Sequence, residues 1–282
     1  MHTYDYVIAD AFTEQPLSGN PVAVFTHAEG LSAEDMQRIA RELNLSETTF
    51  VFPPRKDGDY WVRIFTPVNE LPFAGHPTLG TAVVLGQDFA GPLLKFETGM
   101  GTVPFQLQRD ASGALAAVQM DQPVPTWSAY EHADVVLEAL GLERSTLPVE
   151  MYVNGPRHVF VGLKDVASLA ALKPDLRLLA PLPDVAINCF AGLGRQWRAR
   201  MFSPAYGVTE DPATGSAAGP LALHLIRHDR LAFGEAIEIV QGVEIGRPSL
   251  MRAQVHGSLG RIGPIQVGGS GVIVAHGTFS KW

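Results

Sequence analysis

Arg63-Ile64-Phe65-Thr66-Pro67, followed by Glu70-Leu71-Pro72-Phe73-Ala74-Gly75-His76-Pro77-Thr78-Leu79-Gly80, returns in the second half of the chain in altered form. There it reads Arg200-Met201-Phe202-Ser203-Pro204, then Glu210-Asp211-Pro212-Ala213-Thr214-Gly215-Ser216-Ala217-Ala218-Gly219. Each copy runs from a strand-like segment through a proline-containing loop to a glycine that opens a helix of small residues. The helices predicted over 76–85 and 216–226 are rich in Ala, Gly, Leu and Val, and a helix that is apolar on nearly all faces is a buried one. Strand-like segments surround each helix in sequence. The expectation is an α+β fold of two pseudo-symmetric domains, each a curved sheet or barrel wrapped around its own central apolar helix.

The flanking segments repeat in the same order, as duplication requires. Asn154 to Val161 echoes Ser18 to Phe25, and Ile187-Asn188-Cys189-Phe190 stands where Thr48 to Phe52 stands in the first half. Tyr6 to Ala9, Trp61 to Phe65 and Ala116 to Met120 read as further strands. Thr98-Gly99-Met100-Gly101 reads as a hairpin turn. Ser32 is placed to cap a helix that stops near Asn44, and a second helix over 132–140 ends at Gly141. Pro123, Pro125 and Trp127 form a proline-rich crossing, which puts the domains at 1–126 and 127–282, with the last strand free to return to the first domain.

With 282 residues and 46% hydrophobic content the chain has enough apolar surface for two cores. Its net charge, 21 − 29 = −8, provides no basic footprint for nucleic acid. The single cysteine, Cys189, excludes an intrachain disulfide and reads as a small core residue. No apolar run is long enough to span a bilayer, and the first residues lack a basic, then apolar leader pattern. These features lead to the expectation of a soluble cytoplasmic protein. The nine histidines fall in no H-E-x-x-H or Cys/His pattern, so no metal is expected. Gly268-Gly269-Ser270-Gly271 precedes no helical pattern and reads as a turn, not a dinucleotide site. No G-x-S-x-G elbow is present.

Gly75 and Gly215 lie where free helix N–H groups can bind an anion, and Ser216 adds a hydroxyl. Taken singly, plain capping is the simpler reading of each, and their matched positions in the repeat shift the balance toward function. His76 matches Ser216 in the repeat, and Asp211 matches Leu71, so the polar groups differ while the scaffold repeats. Two such helix starts facing one cleft would suit asymmetric acid–base chemistry. Glu47, in Leu45-Ser46-Glu47-Thr48, sits at a strand entrance among apolar neighbours, where desolvation would raise its pKa. A solvated loop carboxylate is the simpler reading of that residue alone.

The stretches 36–52, 63–80, 154–162, 187–225 and 240–251 resemble the PhzF-like family of phenazine-biosynthesis isomerases, which has the diaminopimelate epimerase-like fold. The resemblance implies Glu47 as catalytic acid–base, His76 and Asp211 as supporting catalytic residues, and Ser46, Gly75, Gly215 and Ser216 as substrate-binding positions. It also implies a homodimer and a small-molecule substrate, trans-2,3-dihydro-3-hydroxyanthranilate, isomerised by proton transfer with no cofactor. Diaminopimelate epimerase uses a cysteine at each helix entrance. The matching positions here are Ala74 and Thr214, so a two-thiol mechanism is not available. An isomerase or epimerase of another small acid, and a non-catalytic binding or dimeric scaffold protein, are the alternative functions.

Overall fold

Alternation of apolar residues and the placement of turn residues divide the chain as expected, and the computed structural model describes residues 3–280. It begins with strands β1 (Thr3–Ala11) and β2 (Asn20–Phe25), helix α1 (Ala33–Leu43), and strands β3 (Glu47–Phe52), β4 (Tyr60–Phe65) and β5 (Glu70–Leu71). Helix α2 (Gly75–Gly86) and strands β6 (Leu93–Thr98), β7 (Gly101–Arg109) and β8 (Leu115–Gln122) follow. Next come β9 (Thr126–Ala129), α3 (Ala133–Leu140), β10 (Glu150–Val153), β11 (Arg157–Gly162), α4 (Val166–Ala170), α5 (Leu176–Leu179), β12 (Ala186–Leu193), β13 (Gln196–Ser203) and β14 (Val208–Asp211). Helix α6 (Gly215–Arg227) and strands β15 (Ala236–Gln241), β16 (Ser249–Ser258), β17 (Arg261–Gly269) and β18 (Gly271–Ser280) complete the chain. Trp127, expected in a proline-rich crossing, lies in β9, whose pairing to β10 supplies the hydrogen bonds that its flanking prolines cannot.

The chain forms two compact units. One holds the residues through Asp121 and those from Gly268 onward, and the other is Gln122–Val267. In the first, β2 runs parallel to β3, β3 antiparallel to β4, β4 antiparallel to β5 and parallel to β6, and β6 antiparallel to β7. In the second, β11 runs parallel to β12, β12 antiparallel to β13, β13 antiparallel to β14 and parallel to β15, and β15 antiparallel to β16. The order and sense of pairing are the same, with α2 and α6 at the same place in each series. In the first unit β18 also pairs with β1, closing the sheet on that side.

Both central helices are enclosed. Every α2 residue except Leu85, and every α6 residue except Arg227, is buried. Gly80 shows how closely α2 packs: a Cβ there would meet Val22 Cγ1 on β2 at 2.4 Å. The opposite sheet faces carry separate cores. Met36, Ile39 and Ala40 of α1 pack with Phe25, Phe50 and Phe65 in the first unit, and Val136, Ala139 and Leu140 of α3 pack with Val159, Ile187 and Cys189 in the second. Helix α1 has the expected termini, with a full capping box between Ser32 and Asp35 and a left-handed Asn44 at its end.

A repeated clamp joins strand to strand. Arg63 donates from Nε and Nη2 to the two carboxylate oxygens of Glu70 at 2.7 and 2.6 Å, and Arg200 does the same to Glu210 at 2.9 and 2.8 Å. Each guanidinium also lies 5.1 Å from the ring centre of the phenylalanine two residues on, Phe65 or Phe202. The environments differ. Glu70 is 42% exposed and Glu210 only 9%. Arg200 also donates from Nη1 to the carbonyls of Leu169, Ala170 and Leu172, satisfying acceptors at the end of α4.

Candidate functional site

In the first unit the parallel register of β2 and β3 sets Val22 opposite Glu47, the first residue of β3. Helix α2 brings His76, its second residue, to the same strand ends. Nε2 of His76 lies 3.1 Å from Oε2 of Glu47, within ion-pair distance although out of line for a hydrogen bond. Thr49 and Thr81, whose hydroxyls are 2.7 Å apart, tie β3 to α2 one turn further in. Ser46 is half-buried next to Glu47, and Gly75 opens the helix beside His76.

Burial drives the His76 imidazole down to a pKa of about 3, against the upward pull of the hydrogen bond it donates to the carbonyl of Pro21. The ring is therefore neutral near pH 7. A neutral imidazole has one N–H, and here the Pro21 carbonyl takes it. The nitrogen facing Glu47 is left as a lone pair. From His76 the carboxylate meets neither a proton nor a positive charge. The corresponding place in the second unit holds no acid. His158, three residues after Gly155 as Val22 is three after Gly19, stands opposite Ala186.

In the second unit Asp211 ends β14, Gly215 opens α6 and Ser216 follows it. All three are buried. Asp211 and the helix start are joined through Thr214, whose hydroxyl donates to Asp211 Oδ2 at 2.6 Å. Pro220 inside α6 has no N–H for the carbonyl of Ser216, and Asn154 Nδ2 supplies one at 2.9 Å. Gln122 Nε2 donates to the carbonyl of Gly215 at 2.8 Å. Side chains from outside the helix therefore brace its first turn.

Capping divides the α-helices: α2, α6 and α3, whose N-cap is His132, have no side-chain cap, and the others have one. The N-cap side chains of α1, α4 and α5 accept hydrogen bonds from their helices. Those of α2 and α6, Ala74 and Thr214, accept none. First-turn N–H groups without a side-chain cap are what an anionic ligand requires.

Sequence patterns missed several of these groups. Asn154 and Gln122 act through backbone carbonyls of distant residues, and no local signal marks them. Buried His158 has a pKa lowered to about 3 by desolvation, and its Nδ1 lies 3.4 Å from the amide of Asn188. Among the described residues Glu150, His224 and His228 bring one donor atom each within 4.8 Å of one another, a grouping the histidine spacing did not reveal. Arg227 Nη1 already lies 2.6 Å from the same Glu150 oxygen, so a cation occupies the acidic end of this cluster. Burial opposes ionisation of Glu150, but hydrogen bonds from His224, Arg227 and His228 outweigh it and hold the carboxyl well below its ordinary range. The cluster reads as a charge-satisfied anchor for the far end of α6.

Comparison with known proteins gives the family. Residues 9–277 match the family model PhzC-PhzF, described as phenazine biosynthesis-like protein. The chain is 60% identical over 275 residues to a Pseudomonas chlororaphis protein named trans-2,3-dihydro-3-hydroxyanthranilate isomerase, covering 98% of this chain and 99% of that one. It is also 60% identical over 272 residues to a Pseudomonas aeruginosa protein of the same name, covering 96% and 98%. The crystal structure of a Bacillus anthracis phenazine biosynthesis protein of the PhzF family superposes with a TM-score of 0.86 at 26% identity over the full length of both chains. The chain belongs to the PhzC-PhzF family of phenazine biosynthesis-like proteins, with the α+β architecture expected from its internal repeat and the diaminopimelate epimerase-like fold that the resemblance implied.

Proposed function

We propose that this chain is an isomerase that converts trans-2,3-dihydro-3-hydroxyanthranilate to a reactive amino-ketone in phenazine biosynthesis. The observation that carries the proposal is the 60% identity, over nearly the full length, to two proteins bearing that isomerase name. The half-buried Glu47 carboxylate beside the buried His76 ring supports it.

In this reading Glu47 removes the proton from C3 of the substrate and returns it at C1, which moves the diene and leaves an enol that becomes the ketone. The proton removed is the proton returned, so the step is redox-neutral and asks for no co-reactant or cofactor. The substrate carboxylate is held by the uncapped first turn of α6 at Gly215 and Ser216, with Ser46 and Gly75 as further binding positions. His76 and Asp211 hold the amine and hydroxyl of the substrate. Two product molecules then condense toward a tricyclic skeleton. The proposal extends to a homodimer in the cytoplasm, and no helix among the described residues is long and apolar enough to cross a membrane.

Incubation with trans-2,3-dihydro-3-hydroxyanthranilate tests the reading. Loss of substrate with growth of tricyclic absorbance is expected. Persistence of the substrate would move the assignment to another small acid. Light scattering in solution tests the dimer.

A further inference from the structure

We infer that Thr214 and Gln241 are positioning residues for the Asp211 carboxylate, acting as a directed hydrogen-bond relay. The inference rests on the proposed role of Asp211 in the isomerisation. Gln241 Nε2 lies 2.8 Å from the backbone carbonyl of Asp211 and 2.9 Å from Thr214 Oγ1. A carbonyl oxygen only accepts, so the end of the Gln241 amide directed there is the NH₂ group, which only donates. That assignment settles the next link. Thr214 Oγ1 accepts from Gln241, and its own proton goes to Asp211 Oδ2, 2.6 Å away. The three residues are 2–6% exposed, so competition from solvent is small.

The surroundings keep the relay in place. Ser249 Oγ donates to the carbonyl of Pro212, between the two ends of the Asp211–Thr214 turn. Gly242, with φ at +77°, approaches the same residue so closely that a Cβ would lie 2.6 Å from the Pro212 oxygen. The buried Arg200–Glu210 clamp fixes the strand that Asp211 ends.

The relay also accounts for an anomaly at the helix start. Threonine is a good N-cap residue, yet Thr214 makes no cap bond to α6, and its hydroxyl is turned instead to Asp211, to which it donates, and to Gln241, from which it accepts. One hydroxyl therefore orients the carboxylate and leaves the first turn open for substrate. The first unit has Leu71 and Ala74 at the matching positions, so the acid and its hydroxyl donor are absent together there.

The test combines kinetics on trans-2,3-dihydro-3-hydroxyanthranilate with crystal structures. Thr214→Val keeps the shape and removes the donor, and Thr214→Ser restores it. Losing a hydrogen bond to a charged group should lower kcat/KM about 10- to 100-fold in Thr214→Val. Thr214→Ser should recover to within about threefold, and Gln241→Leu should fall in the same direction as Thr214→Val. In an Asp211→Asn background Thr214→Val should change kcat/KM by less than about twofold, because residues acting through one group are not additive. Equal losses in both backgrounds would overturn the relay. The Thr214→Val structure should show the Asp211 side chain turned from its parent orientation, and an unmoved carboxylate would overturn the relay whatever the kinetics. A fully active Asp211→Asn enzyme would instead remove the catalytic reading of Asp211 and leave the crystallographic arm to decide the relay. If Thr214→Val does not fold, Gln241→Leu carries both measurements.

Discussion

Oε2 of Glu47 lies 3.1 Å from Nε2 of His76, a ring that burial keeps neutral near pH 7. The carboxylate therefore faces a lone pair where an ion pair would put a cation.

Replacing Glu47 by Gln should lower kcat by ~10²–10⁴-fold, the usual contribution of a general acid–base, and leave the fold intact. Binding of an anthranilate analogue, measured by calorimetry, should change little. Parent-like turnover in this variant would remove Glu47 from the mechanism.

Ser216→Ala should act on binding. A hydroxyl donated to the substrate carboxylate is worth about 1.5–3 kcal/mol, so KM should rise roughly 10-fold or more with a smaller change in kcat. An unchanged KM would place the substrate carboxylate elsewhere.

Acid should destabilise the fold before it reaches the carboxylates. His76 and His158 titrate near 3 when folded, against 6.5 when unfolded. Between these values only the unfolded state binds the protons, so stability falls as pH drops through 6.5. The loss from pH 7 to pH 5.5 is about 1 kcal/mol for each histidine by this linkage. Glu150 has the opposite linkage: its lowered pKa contributes stability above its unfolded value of 4.5, lost only at more acidic pH. Denaturant unfolding from pH 7 to 5.5 should therefore show a slope that His158→Gln reduces. An unaltered slope in that variant would contradict the assignment.

The two arginine clamps should differ in strength despite their matching geometry. Arg200→Met strands a buried carboxylate and three carbonyls, at a cost of about 3 kcal/mol or more. Arg63→Met removes a pair open to solvent at Glu70 and should cost about 1 kcal/mol or less. Equilibrium unfolding of the two variants side by side measures the difference, and equal losses would refute it.

Asn154 should matter only because of Pro220. Asn154→Ala leaves the carbonyl of Ser216 without its donor, at about 1–3 kcal/mol. In a Pro220→Ala background the helix supplies that N–H itself, and the penalty should shrink. A double-mutant cycle on thermal stability reads the coupling, and additive losses would contradict it.

The duplicated motif, the two apolar helices, the Ser32 and Asn44 caps and the turn at Gly99-Met100 are all legible in the sequence. Each depends on residues within a few positions of one another, where periodicity and backbone preference act. The repeat also singled out His76, Asp211 and Ser216 as the places where the copies differ. For Glu47 the residue alone favoured a solvated loop, and only resemblance to a family pointed to it. Its pairing with His76 comes from the parallel register of β2 and β3 and the entry of α2, contacts between residues 29 positions apart. Tertiary structure likewise decided that Thr214 turns its hydroxyl to Asp211, that Gln241 directs it, that Asn154 stands in for the missing N–H of Pro220, and that Glu150 gathers His224, Arg227 and His228. A hydrogen bond has a direction and a partner, and for these side chains the partner is set by how the sheet closes around its helix.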